Sequence, residues 1–227
     1  MMANVIAIDG PSGAGKSSLA KALAKEFGFI YVDTGAIYRT LALAVLRAEI
    51  DRKNVCAVME VLRESRITIG YNDSGEQRML LDGEDVSAEI RQPEVSVAAS
   101  DVSAYPEVRA YLLEMQRKLA RENNVIMDGR DIGTVVLPQA EIKIFLTAGA
   151  EARAERRLLE LRAKGVETSF EDVLRDIEYR DRQDSERAAA PLKKAEDAVL
   201  CDTSELTFQQ SFELLCSVVR GNMRWKS

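Results

Sequence analysis

The chain has 227 residues, 46% of them hydrophobic and 30% charged, with a formal charge of −6 and no histidine. That length holds one large α/β domain with room for a small insert, and the acidic balance disfavours nucleic acid, whose non-specific grip needs surplus Lys and Arg. The missing imidazole removes Ser-His-Asp and Cys-His hydrolases, H-E-x-x-H zinc enzymes and phosphohistidine relays. Phosphoryl transfer passes that filter, because it depends on positioning and cationic stabilisation more than on a proton carrier.

Asn4–Asp9 reads as a short strand that runs into a glycine-rich turn. From Lys16 to Phe27 the residues Leu19, Ala20, Leu23, Ala24 and Phe27 share one helical face. Phe29–Asp33 is a second apolar strand, followed by helices over about 36–49 and 55–64. Strand, helix, strand and helix with nearly continuous apolar strands predict a buried parallel sheet. The period then changes. Arg66–Tyr71 and Gln77–Asp82 alternate apolar and polar residues around Asn72-Asp73-Ser74-Gly75, the mark of a β-hairpin. Gly83–Asp85 and Val86–Ile90 are expected to continue it, so an antiparallel insert is placed at about 65–92, off the main sheet.

Helical stretches follow over about 93–103 and 106–122, then strands at Val125–Asp128 and Ile142–Leu146. Charged helices are expected over about 150–163 and 169–185, as a solvated hairpin with i,i+4 pairing around Glu151, Glu155 and Arg157. Ala198–Cys201 is a short last strand and Phe208–Arg220 a closing amphipathic helix. No internal repeat or low-complexity linker interrupts the pattern.

Cys56, Cys201 and Cys216 are far apart and none belongs to a C-x-x-C pair, which argues against zinc or a disulfide framework. They read as small buried hydrophobes in a reducing, cytoplasmic setting. No apolar run reaches the roughly 18 residues of a membrane span, and no signal peptide or membrane association is expected.

Gly10-Pro-Ser-Gly-Ala-Gly15-Lys16-Ser17 matches G-x-x-x-x-G-K-S/T at every fixed position, between a predicted strand and a predicted helix. The backbone N–H groups of such a loop, with the helix dipole behind them, cradle phosphate. The expected ATP-binding set is Gly10, Pro11, Ser12, Gly13, Ala14, Gly15, Lys16, Ser17 and Ser18. Lys16 would bridge the β- and γ-phosphates and Ser17 would ligate Mg²⁺. GTPases share the loop but carry an Asn-Lys-x-Asp motif, and this chain has no Asn-Lys dipeptide. The strand Val125–Met127 ends in Asp128, a second Mg²⁺ candidate through a coordinated water, while Asp33 is a weaker one suited to capping a helix. Arg130, two residues beyond Asp128, suits clamping an acceptor phosphate better than activating water.

Several blocks then carry a resemblance. Gly10–Lys16, Asp33-Thr-Gly-Ala-Ile-Tyr-Arg39, Gly83-Glu-Asp-Val-Ser87, Glu89-Ile-Arg91, Asp128-Gly-Arg-Asp-Ile-Gly-Thr-Val-Val136, and Arg180-Asp181 through Arg187-Ala-Ala-Ala-Pro-Leu192 stand in order along the chain. Together they resemble the bacterial cytidylate kinases, almost from end to end. The resemblance implies an α/β fold: a P-loop kinase with a five-stranded parallel sheet covered by helices on both faces. It also implies an NMP-binding insert at 65–92 and a helical lid at about 150–168, with a core made of 1–64 and 93–227. The implied reaction is transfer of the γ-phosphoryl of ATP to CMP or dCMP, those nucleotides are the expected partners, and nothing in the sequence requires more than a monomer.

By the same resemblance Arg39, Arg130 and Arg187 would hold the CMP phosphate, with Thr34 and Tyr38 lining that site. Ser100, Arg109 and Asp131 would face cytosine, and Arg180 and Asp184 the pentose. Many relatives have Ser where Thr34 stands, and the hydroxyl is kept. Arg153 and Arg157, four apart on a charged helix, can point the same way and would act on the transferring phosphoryl group beside Lys16 and Arg130. Two other readings compete. A P-loop kinase of the shikimate or gluconate type would lack the insert and the Asp-Gly-Arg-Asp-Ile-Gly run, and a non-catalytic ATP-binding regulator would need none of the acceptor-side arginines.

Overall fold

The computed structural model describes residues 4–163 and 165–222. In chain order the elements are β1 (Val5–Asp9), α1 (Lys16–Phe27), β2 (Ile30–Asp33), α2 (Thr34–Arg47), α3 (Val55–Glu64), β3 (Ile67–Tyr71), β4 (Gln77–Leu81) and β5 (Glu84–Asp85). They continue with α4 (Pro93–Val102), α5 (Pro106–Glu122), β6 (Val125–Gly129), β7 (Ile142–Thr147), α6 (Ala150–Ala163), α7 (Phe170–Glu186), β8 (Val199–Asp202) and α8 (Phe208–Asn222). The chain divides into two compact units, residues 1–30 with 120–227, and residues 31–119.

The parallel sheet has five strands in the order β2-β6-β1-β7-β8, and the first unit contains β6, β1, β7 and β8 with Ile30 of β2. Val5 pairs with Val125, Ile6 with Ile142 and Ile144 with Val199. The first residue of β2, Ile30, donates its N–H to the Asn124 carbonyl at 2.9 Å. All of β6 is buried, as expected for a strand covered on both faces. Helix α1 packs on β1 and β6 and against α8. It ends at Gly28 in the left-handed conformation, where the Phe29 N–H closes onto the Ala24 carbonyl at 2.8 Å. Helices α6 and α7 form a hairpin joined through Ala154, Leu158, Val173 and Ile177.

In the second unit α2, α3, α4 and α5 surround a core that includes Leu41, Val45, Val58, Leu62, Ala98 and Leu112. Each aliphatic side chain of leucine size buried in this way contributes about 1.5–3 kcal/mol. The antiparallel sheet β3-β4-β5 closes it, with Ile67 opposite Leu81 and Tyr71 opposite Gln77. Asn72 fixes the hairpin turn, its side-chain oxygen accepting the N–H groups of Ser74 and Glu76 at 3.1 and 2.8 Å.

The hairpin does not continue through Val86–Ile90. The ladder on β4 is Glu84 and Asp85, the Val86 N–H adds one bond to the Met79 carbonyl at 2.9 Å, and Glu89–Arg91 turns into a short 3₁₀ helix. The cause is visible in the apolar spacing, since Val86 and Ile90 are both buried and lie four apart, a helical interval. An Asx turn, in which the Asp85 carboxylate accepts the Ser87 N–H at 2.9 Å, bends the chain at that point. Among the described residues, the ion pairs within single helices of the charged hairpin are Arg157–Glu160 and Arg175–Asp172, both i,i+3 where i,i+4 is expected, while Arg153–Asp181 joins the two helices. Cys201 and Cys216 are buried as expected, whereas Cys56 is exposed, and among the described residues none forms a disulfide. Among the described residues no helix is long and apolar enough to cross a membrane.

Candidate active site

In the first unit the loop after β1 approaches β7 very closely. Gly10 sits at φ +153°, and a Cβ there would lie 1.9 Å from the Leu146 carbonyl oxygen, so no other residue fits. Gly15 starts α1 in the left-handed conformation and brings no side-chain cap. The first N–H groups of the helix therefore have no intrahelical or side-chain partner, the arrangement that favours a bound anion.

Lys16 is buried and its Nζ donates to the Pro11 carbonyl at 2.6 Å. Burial pulls its pKa down to about 7, helped by Arg130 and opposed by Asp128, Asp184 and Asp9. The Ser17 hydroxyl donates to Asp128 Oδ2 at 2.8 Å, which joins the end of the phosphate loop to the end of β6. That donor set is a hydroxyl and a carboxylate, both hard oxygen ligands. It suits a cation such as Mg²⁺ that takes few protein ligands and keeps the rest of its shell for water and phosphate. Among the described residues no group of three or more Cys, Asp or Glu side chains could hold a metal ion. Asp33, the weaker metal candidate, caps α2 by accepting the Ala36 N–H at 2.9 Å.

Four cations crowd the same region. Arg130 donates from Nε to Asp184 Oδ2 at 2.6 Å. Burial works against its charge, and Asp184 more than offsets this by charge and hydrogen bond, leaving its pKa above the ordinary arginine value. Arg180 reaches the Ser12 hydroxyl at 3.4 Å, and burial with the charges of Arg130 and Arg157 pulls its pKa down. Arg187 is buried, 3.5 Å from Asp131 and 3.8 Å from Asp184, and donates from Nε to the Ala190 carbonyl. Asp131 is thus a partner of Arg187. Asp184 serves Arg130 and Arg187, so it is no i,i+4 salt bridge with Arg180.

Arg153 is fastened on several sides, to Asp181 by two bonds of 3.1 and 2.6 Å and to the carbonyls of Ala148 and Ser12 at 2.8 and 2.9 Å. It braces the phosphate loop from behind through Ser12. Arg157 pairs with Glu160 at 2.8 Å. Asp181 and Asp9, which the sequence did not single out, are the carboxylates that hold Arg153 and the turn after Arg130.

The second unit holds the other expected residues, described on their own. Thr34 opens α2, and Tyr38 and Arg39 follow on its first two turns. Arg39 pairs with Asp33 at 2.7 Å. Burial raises the Asp33 pKa, but Arg39 and Arg91 hold it below the usual carboxylate range. Arg109 is buried, stacks over the Tyr38 ring at 5.2 Å and donates to the Ser103 carbonyl at 3.3 Å. Ser103 in turn donates to the Ser100 carbonyl at 3.1 Å, so Ser100 and Arg109 belong to one polar chain. Gln77 was missed by sequence reasoning. Its amide oxygen accepts the Asp33 N–H at 2.7 Å and its amide nitrogen donates to the Asp33 carbonyl at 3.3 Å, continuing the strand edge with a side chain.

A parallel sheet whose first strand feeds a glycine-rich loop, with a buried lysine and a serine–aspartate pair at the helix start, defines a P-loop phosphotransferase. The comparisons narrow this further. The chain matches the description "Cytidylate kinase" over residues 6–221. The cytidylate kinase of Caldicellulosiruptor saccharolyticus is 53% identical over 205 residues, covering 90% of each chain. That of Caldanaerobacter subterraneus subsp. tengcongensis is 52% identical over 219 residues, covering 96% of each. The chain belongs to the cytidylate kinase family, and a shikimate or gluconate kinase is not favoured. Among solved structures, an uncharacterized protein from Eubacterium ventriosum superposes with a TM-score of 0.51 over 96% of this chain and 98% of its own, at 11% identity, a likeness of fold alone.

Proposed function

We propose that the protein transfers the γ-phosphoryl of ATP to CMP or dCMP, giving ADP and CDP or dCDP. The observation that carries this reading is the joint placement in the first unit of Lys16, the Ser17–Asp128 pair and Arg130. Residues Gly10 to Ser18 take the ATP phosphates on backbone N–H groups, and Lys16 follows the charge that builds on the β–γ bridge. Mg²⁺, held by Ser17 and by Asp128 through water, would neutralise phosphate charge when bound.

Two dianionic phosphates repel, and arginines from separate segments draw them together. Arg130 and Arg187 in the first unit and Arg39 in the second take the CMP phosphate, with Thr34 and Tyr38 beside Arg39. Asp131, Ser100 and Arg109 read the cytosine, and Arg180 and Asp184 hold the pentose. Arg157 is available to the transferring phosphoryl group, and Arg153 serves that group by bracing the loop. The segment 65–92 acts as the nucleotide-binding insert and 150–168 as the lid, whose closure excludes water that would otherwise hydrolyse ATP. The protein works as a cytoplasmic monomer without nucleic acid.

An ADP-release assay across CMP, dCMP, UMP, AMP, GMP and shikimate tests this reading. CMP and dCMP should dominate. Equal turnover of shikimate or AMP, or ADP release with no acceptor added, sinks it.

A further inference from the structure

Asp9 is the last residue of β1 and stands directly before Gly10, where the phosphate loop begins. It is buried, 4% exposed. Oδ1 accepts the N–H of Ile132 at 2.7 Å and Oδ2 the N–H of Gly133 at 2.7 Å. Those two amides open a single π-helical turn, Ile132–Val136, which follows Arg130 and Asp131 without a break. Such turns recur at functional sites because they re-aim the residues beside them.

The fit is specific to a short carboxylate. An ionised carboxylate offers acceptors on both oxygens and no donor, so one side chain satisfies two neighbouring amides. Asparagine would turn an NH₂ group toward one of them. Gly133 leaves no slack, since a Cβ there would lie 3.3 Å from Asp9 Oδ2 and 3.1 Å from Lys143 Cδ. Burial raises the Asp9 pKa to about 6 while the two N–H bonds lower it, so the fold keeps a carboxylate where burial alone disfavours one. The sheet does not need it. Asp9 is in register with Gly129 and Phe145 through its backbone, whatever its side chain.

We infer that Asp9 is a positioning residue for phosphoryl transfer: it ties the turn that carries Arg130 and Asp131 to the strand end from which the phosphate loop departs. Donor-side backbone and acceptor-side side chains are then set as one body, which matters because small misplacements of reacting groups cost rate steeply. The inference rests on the reading of Arg130 and Asp131 as acceptor ligands.

Asp9→Asn, folded as wild type by circular dichroism, should raise the KM for CMP on the order of tenfold and lower kcat by a similar factor. The KM for ATP should change less than that for CMP, because the loop's own glycines are untouched and Asp9 is the smallest of the charges that support Lys16. If kcat and the KM for CMP both remain within about twofold of wild type, Asp9 is only a buried structural group. A measurement on the wild-type chain keeps the test open should the variant not fold. With the β,γ-imido analogue of ATP and no CMP, exchange of the Ile132 and Gly133 amides should slow together with that of the loop amides. Slowing in the loop with no change at Ile132 and Gly133 overturns the tie. Failure of wild type to phosphorylate CMP would strike the proposed function instead, and the exchange experiment would still judge Asp9.

Discussion

Ion pairs in the two units have nearly the same lengths and very different surroundings. In the first unit Arg153–Asp181 and Arg130–Asp184 are 2.6 Å contacts whose arginines have side chains only 6% and 26% exposed. In the second, Arg47 makes contacts of 2.7 and 2.6 Å with Glu84 and Glu89, but all three side chains are more than a third exposed. Water and salt screen the Arg47 group, whereas the buried group carries the full cost of desolvation and would be ruinous if half of it were lost. Buried guanidinium groups held by carboxylates in this way are fixed in place, which suits the phosphate-binding role proposed for Arg130. Among the described residues of the second unit, Arg39–Asp33 comes nearest to this character, with a buried carboxylate, and Arg39 is one of the residues proposed there for the CMP phosphate.

The largest effect is expected at the centre of the buried group. Lys16→Ala should leave the fold intact, because the side chain's own hydrogen bond is to a loop carbonyl, and should lower kcat by on the order of 10²–10³ or more. Steady-state kinetics with saturating ATP and CMP decides the point. Near-normal turnover that still depends on ATP would remove the loop from the mechanism and with it the contrast drawn above.

Next comes Asp131, buried beside Arg187. Cytosine offers an N4 amino donor where uracil offers an O4 acceptor, and an ionised carboxylate can only accept. Asp131→Asn should therefore lower the efficiency with CMP and narrow the preference for CMP over UMP by about tenfold or more. If both substrates weaken by one factor, the residue steadies Arg187 and does not read the base. Limited proteolysis sharpens the picture of the second unit, where bound CMP should slow cleavage within Ile69–Asp85. Equal cleavage rates with and without CMP would uncouple that sheet from the acceptor.

Much of this was legible in the sequence where the signal is local. The phosphate loop, the α1 and α3 boundaries and the alternation in β3 and β4 follow from spacing alone. What stayed hidden are single pairings over long separations. Asp9 meets Ile132 across 123 positions, Arg153 meets Ser12 across 141, and Gln77 meets Asp33 across 44. No periodicity encodes such bonds, since each satisfies one backbone group left over by the strand and loop geometry. The π-helical turn was hidden for a related reason, because Ile-Gly-Thr-Val-Val has the composition of a strand and its bonds to Asp9 join residues far apart in the chain. Val86 and Ile90 show the opposite failure, a local spacing of four that was legible and was overruled by the neighbouring hairpin.

Acid should expose a smaller difference between the units. Burial raises the Asp184 pKa, but the charge and hydrogen bond of Arg130, with Arg187, hold it below the ordinary carboxylate range. A depressed folded pKa means that the stabilisation is complete above the unfolded value and is lost as pH falls through the folded one. Denaturant titrations below about pH 4 should show wild type losing stability more steeply than Asp184→Asn. The same variant should raise the KM for CMP about threefold to tenfold at neutral pH, since Arg130 then rests on a weaker acceptor. Parallel acid limbs in the two proteins would mean that the Arg130 pair contributes no pH-dependent stability.

The smallest effect should fall on Arg47, although it pairs with two carboxylates at 2.7 and 2.6 Å. Its two carboxylate partners come from β5 and from the 3₁₀ turn that follows, and bidentate contact with Glu84 is geometrically good. The Arg47 pKa is raised by the hydrogen bonds it donates to both glutamates, yet an arginine is charged at any working pH, so that shift adds no pH dependence to stability in the neutral range. What remains is attraction between solvated groups, offset by the entropy of holding three long side chains together. Arg47→Ala should leave turnover unchanged and move the thermal midpoint barely, and any shift should fade as salt is raised. A salt-insensitive loss at Arg47 comparable to that in Asp184→Asn would show that exposure does not separate the two classes of pair.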